Sequence, residues 1–68
     1  MKITHGVHTW TRDDNQPLSV ITIREQYKAP LALTGNEIAM VNGVEVDDTS
    51  IVQAHENIEF IKKAGTKG

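Results

Sequence analysis

Between Glu37 and Val46 the chain reads EIAMVNGVEV. Ile38 and Met40 stand two apart, the spacing of side chains on one face of a strand. Asn42-Gly43 is the residue pair that best tolerates positive φ at both central positions of a type I′ turn. Val44 and Val46 open a return strand, which stops at the turn-forming Asp47-Asp48. This stretch is therefore expected to be a tight antiparallel hairpin. A lone hairpin is marginal in water, so the flanking sequence has to supply more sheet and a cover for it.

Downstream, Thr49 to Asn57 (TSIVQAHEN) reads as a short connection, with Ile51-Val52 expected to plug the core. Ile58, Phe60 and Ile61 form a closing strand in which Glu59 points to water. The chain then runs out as Lys62-Lys63-Ala64-Gly65-Thr66-Lys67-Gly68, which has no large apolar side chain to anchor it. The expected organisation is a domain over 1–61 and a flexible tail over 62–68.

Upstream, Met1 to Arg12 (MKITHGVHTWTR) is rich in β-favouring residues and has no helical period, so it reads as strand, turning as a hairpin at His5-Gly6. Asp13 to Pro17 is loop by composition. Ser19 is placed to cap a helix over VITIREQYKA, in which Val20, Ile23 and Tyr27 make one buried stripe. Thr22, Arg24, Glu25 and Lys28 then face outward. The β-branched residues keep a strand open as the alternative for LSVITI, whereas Glu25 and Gln26 favour the helix and Pro30 marks its end. The order strand, helix, strand, turn, strand, loop, strand is satisfied by an α+β domain, a mixed four- to five-stranded sheet packed on one helix.

Composition narrows the function classes. The 68 residues allow one small domain with a thin core. With no cysteine, neither a disulfide nor a thiolate–metal site can reinforce it. Net charge is −2, and three of the seven Lys and Arg residues fall within the last seven positions. That scatter argues against a nucleic-acid partner, whose phosphates call for concentrated positive charge. The apolar runs are too short to span a bilayer, and Met1-Lys2-Ile3 does not begin a signal peptide. A cytoplasmic location is expected.

The stretch Asn36 to Gly68 resembles the C-terminal half of the β-grasp, ubiquitin-like sulfur carriers of the ThiS and MoaD type. In those proteins a strand runs into an Asn-Gly turn, here Val41-Asn42-Gly43-Val44-Glu45-Val46. A second turn follows, where His55-Glu56-Asn57 stands, then a last strand, Ile58 to Ile61, and a glycine-ended tail. Ser19-Val20 with Ile23 is similar to the family's helix start. The ending Ala64-Gly65-Thr66-Lys67-Gly68 is similar to the tails of the ThiS-like proteins of bacterial PRTRC systems, and departs from the terminal Gly-Gly of the sulfur carriers. The resemblance implies a β-grasp fold and a chain that is a carrier or protein modifier, not an enzyme. It implies that the Gly68 carboxylate is adenylated by a ThiF-type ATP-dependent activating enzyme, for thiocarboxylate formation or for conjugation to a target protein or sulfur acceptor. Gly65, Thr66 and Lys67 would thread into that enzyme, and glycine's missing Cβ lets Gly68 approach a nucleotide closely. No cofactor of its own is implied.

Other groupings have plainer explanations. On a single strand His5 and His8 would point to opposite faces, so no metal site is expected from them. Asp13-Asp14 and Asp47-Asp48 fall where loops are expected and read as turn residues. Nucleotide-binding and hydrolase signatures are absent. Trp10 is expected in the core, with an exposed contact as the alternative, Met40 is expected in the core, and Tyr27 is expected to pack its ring while wetting its hydroxyl. The competing reading is a small non-covalent binding module, an adaptor or inhibitor, since GNEIAMVNGVEV also resembles the strand–turn–strand of PDZ domains.

Overall fold

The computed structural model describes residues 1–62. Its elements are β1 (Lys2–His5), β2 (His8–Thr11), β3 (Leu18–Ser19), α1 (Val20–Gln26), β4 (Glu37–Val41), β5 (Val44–Val46), β6 (Ile51–Val52) and β7 (Asn57–Lys62). Five strands form one sheet in the order β2-β1-β7-β4-β5, and β3 pairs with β6 in a two-stranded ribbon. The large sheet is mixed: β7 runs parallel to β1 and antiparallel to β4, and both outer strands are antiparallel to their neighbours. One short helix crosses one face of it. This is the α+β, β-grasp arrangement expected from the sequence.

The two hairpin turns follow from backbone chemistry. At the β4–β5 turn Asn42 (φ 54°) and Gly43 (φ 79°) are both left-handed, the type I′ pattern that Asn-Gly favours. At the β1–β2 turn only Gly6 (φ 61°) has positive φ, the pattern of a type II′ turn with glycine first. The turn is thus Gly6-Val7, and His5 and His8 stand directly opposite each other across it. The two histidines therefore share a face, because they occupy two strands where a single-strand reading puts them on opposite sides.

The helix forms despite its β-branched start because its first amides all find partners. The Ser19 hydroxyl accepts from the Thr22 amide, while Val20 and Ile21 donate to the Ser50 and Asp48 carbonyls at 2.9 and 3.1 Å. The expected competition between strand and helix resolves by division. Leu18 and Ser19 are strand, paired with Val52 and Ile51, and the helix begins at Val20. It ends at Gln26, earlier than the sequence pattern predicts, and turns through Leu31 and Leu33 carry the chain back under the sheet.

Val20, Ile23 and Tyr27 are buried as one stripe against Ile3, Ala39, Ile58 and Phe60 from the three central strands, with Leu31, Leu33 and Val52 closing the ends. Three expectations about the core are corrected. Trp10 is 46% exposed, because β2 is an edge strand and its ring leans on Tyr27 from outside, centroids 5.7 Å apart. Met40 is half-buried on the opposite face of the sheet, since its neighbour Ala39 takes the core-facing position. Of Ile51-Val52 only Val52 enters the core, while Ile51 is exposed.

Phe60 is fully buried at the middle of the sheet. Phe60→Ala is expected to cost about 3–5 kcal/mol, against a total on the order of 3–10 kcal/mol for a domain this size. Urea unfolding followed by circular dichroism should show most of the cooperative transition lost at 25 °C, whereas Ile51→Ala should shift the midpoint little.

Candidate functional site

The residues singled out by the sequence, Gly65, Thr66, Lys67 and Gly68, lie outside the described residues. The structure does describe the strand they follow. β7 is flanked on both sides as far as Phe60, which pairs with His5 of β1 and Ala39 of β4. Beyond that point β1 has turned away. Ile61 and Lys62 pair only with Ile38 and Glu37 at the start of β4, so the strand extends one residue past its expected end.

The end of the sheet beside Lys62 is organised by Glu37, the one buried charged residue among the described residues. Its carboxylate accepts from the Thr34 amide (3.0 and 3.1 Å), the Thr34 hydroxyl (2.8 Å) and the Gly35 amide (3.0 Å). Burial is the largest single influence on this carboxyl and pushes it toward the neutral form. The bonds from Thr34, from Glu37's own amide and from Gly35 together outweigh burial and bring the pKa from 4.5 down to about 2. His5 completes the cluster. Its Nδ1–H donates to the Leu31 carbonyl at 2.6 Å, and its Nε2 lies 3.6 Å from the carboxylate. One acidic side chain thus closes the α1–β4 connection onto the start of β4, the strand beside β7, with His5 at the end of β1 packed beside it.

Glu37 was not singled out from the sequence, and His5 was weighed there only as a metal ligand, paired with His8. A signal was there: Thr34 precedes Glu37 by three residues, the spacing that lets a carboxylate reach back to close a loop.

Among the described residues, nothing is layered over the face of the sheet away from the helix. It presents Thr9 and Thr11, Lys2 and Thr4, Glu59 and Ile61, then Ile38 and Met40, with Glu45 at the far edge. Ile38 and Ile61 are cross-strand partners and make its apolar part. Beside them a shallow depression of about 350 Å³ is lined by Lys2, Thr4, Met40, Asn42, Asn57 and Glu59. Three of the four aspartates in the acidic pairs make structural contacts. Asp47 accepts from Thr49 and Ser50 and holds the loop after β5; Asp48 and Asp14 pair with Arg24 and Arg12. Among the described residues no group of three or more His, Asp or Glu side chains is placed to hold a metal ion, and no helix is long and apolar enough to cross a membrane.

No family model matches the chain, and no curated protein matches it.

Glu37 gives a pH signature. Its pKa is lowered on folding, so its contribution is fully present above about pH 4.5 and is lost as pH falls toward 2. Glu37→Gln should lower stability at pH 7 by about 1–3 kcal/mol. The gap to the unsubstituted protein should narrow steadily below pH 4.5, as read from urea midpoints along a pH series. A gap independent of pH would show that the carboxylate's charge contributes nothing.

Proposed function

We propose that this chain is a ubiquitin-like carrier or modifier whose reacting group is the carboxylate of Gly68. The observation that supports the reading best is the position of β7: the strand from which Lys63 to Gly68 continue is the middle strand of the sheet and is paired on both sides. A body built this way holds the base of a reactive segment firmly and contributes only recognition surface. The open face, with Ile38, Ile61 and Met40 beside the exit of β7, is suited to that role.

The chemistry of the reading is acyl activation on a separate ThiF-type enzyme. A carboxylate oxygen of Gly68 attacks the α-phosphorus of ATP, forming an acyl-adenylate and releasing pyrophosphate. A sulfur nucleophile then attacks the acyl carbon and expels AMP, leaving a thiocarboxylate or a thioester to an enzyme cysteine. This chain supplies the acyl group and binds no nucleotide itself. The reading requires a free carboxylate on Gly68 in the mature protein, and it places the protein in the cytoplasm of a bacterium.

The test is intact-mass spectrometry after incubation with ATP and a ThiF-type enzyme. The expected result is an adenylyl adduct, an oxygen-to-sulfur exchange or an enzyme thioester. Both a Gly68-deleted chain and a chain with one residue added after Gly68 should show none of these. An unchanged mass with an enzyme shown to be active on another carrier would overturn the reading in favour of a non-covalent binding module.

A further inference from the structure

The main chain of edge strand β2 has hydrogen-bonding groups that the fold leaves unused. In the β1–β2 hairpin the Arg12 amide donates to the Met1 carbonyl at 2.8 Å, and the Met1 amino group donates to the Arg12 carbonyl at 3.3 Å. Met1 and Arg12 are therefore a hydrogen-bonded pair. Such pairs alternate with non-bonded ones along an antiparallel ladder, which makes Ile3–Trp10 and His5–His8 the other bonded pairs. Thr9 and Thr11 consequently aim both amide and carbonyl away from β1. β2 stands at the end of the strand order and all of its residues are exposed. Among the described residues, no hydrogen bond reaches the main chain of Thr9 or Thr11.

Sheet edges are ordinarily protected by charge, proline, bulges or extreme shortness. The other edge follows that rule. In β5 the residue whose main chain points outward is Glu45, because Val44 and Val46 are the bonded partners of Val41 and Ala39. β2 (His8-Thr9-Trp10-Thr11) has no carboxylate, lysine, arginine or proline in it. The two edges are thus chemically unlike, and β2 is the one open to pairing.

We propose that β2 pairs antiparallel with β2 of a second copy of this chain, about a two-fold axis through Trp10. In that register Thr9 faces Thr11 of the second copy and Thr11 faces its Thr9. Every outward amide and carbonyl of both residues is then used, with none left over. Trp10 meets Trp10 of the second copy as a non-hydrogen-bonded pair, the arrangement in which facing side chains approach most closely. Both rings lie on the helix side of the sheet, extending the contact that each makes with its own Tyr27. His8 falls opposite Arg12, whose guanidinium is already engaged by the Tyr27 hydroxyl and the Asp14 carboxylate. Over Thr9, Trp10 and Thr11 the strand is its own complement, uncharged residue against uncharged residue, which is the argument for a second copy over an unrelated strand. The contact is small, so the dimer is weak and concentration-dependent. The inference stands independently of the carrier reading.

Sedimentation equilibrium on the full chain between about 1 μM and about 1 mM should show a monomer passing to a dimer. Because Trp10 is the chain's one tryptophan, its emission should shift to the blue over the same range. Thr11→Pro removes an outward amide without touching the β1 ladder, as edge positions permit. The pair Thr9→Lys with Thr11→Lys brings like charges across the axis. Both variants should stay monomeric while keeping the circular dichroism of the folded chain.

The absence of cysteine allows a check that survives misfolding of either variant. Trp10→Cys should oxidise readily to a disulfide-linked dimer. Val7→Cys, at the more exposed hairpin tip (94%), should cross-link only at the collisional rate. A monomer at every concentration, a dimer indifferent to the lysine pair, or equal cross-linking at positions 7 and 10 would overturn the proposal. The first of those results would leave the edge to a foreign strand.

Discussion

The structure depends on β7 lying between β1 and β4. Ile58 and Phe60 fill the core from this strand, and its backbone is bonded along both edges. Its pairing with β1 joins residues such as Lys2 and Asn57 from nearly opposite ends of the described chain. The two hairpins can form locally, but neither can bury its apolar face until β7 arrives between them. Closing that long loop costs chain entropy before any contact repays it, so the sheet should assemble as one cooperative unit. The residues that follow Lys62 continue from the strand that is paired on both sides from Ile58 to Phe60.

A core this thin needs help at its margins, and charged side chains provide it. Arg24 lies over the Phe60 ring at 5.1 Å and is held by Asp48; Arg12 lies beside the Tyr27 ring and is held by Asp14. In each case the guanidinium covers an aromatic that would otherwise be wetted, and the carboxylate fixes it there. The remaining acidic groups close loops. Glu37 binds the Thr34-Gly35 turn, Asp47 the Thr49-Ser50 turn, and Glu56 accepts from the Gln53 amide while reaching the Asn42 side chain. Paired and isolated carboxylates, which in a larger protein would invite a catalytic reading, serve here as loop ties.

What could be read from the sequence was what short-range chemistry determines. Asn42-Gly43 requires its turn, Ser19 its cap, and the alternation of Ile58 and Phe60 with Glu59 its strand. The type of each element was therefore open to inference, and with it the α+β architecture. What could not be read depends on which strand lies beside which. Trp10 and Met40 have the composition of core residues, but one is on an edge and the other on the uncovered face, and nothing local marks either. His5 and His8 changed relation once the turn between them was placed at Gly6-Val7. Glu37 was missed because a buried carboxylate is stable only through partners that sequence spacing merely hints at.

The two proposed surfaces are compatible on the geometry of the sheet. In the order β2-β1-β7-β4-β5, two strand spacings separate β2 from β7, about 10 Å. Edge pairing lengthens the sheet sideways and adds no layer to either face. Ile38, Ile61 and Met40 on the open face, and the exit beside Glu37, would stay uncovered in a dimer joined through β2. Dimerisation would then place two exits on one continuous ten-stranded sheet, related by the same two-fold axis that passes through Trp10. An enzyme that engages the open face and the residues beyond Lys62 would meet the same surface on monomer and dimer. On the carrier reading, the edge interaction would change how many exits one particle carries without changing the surface around each.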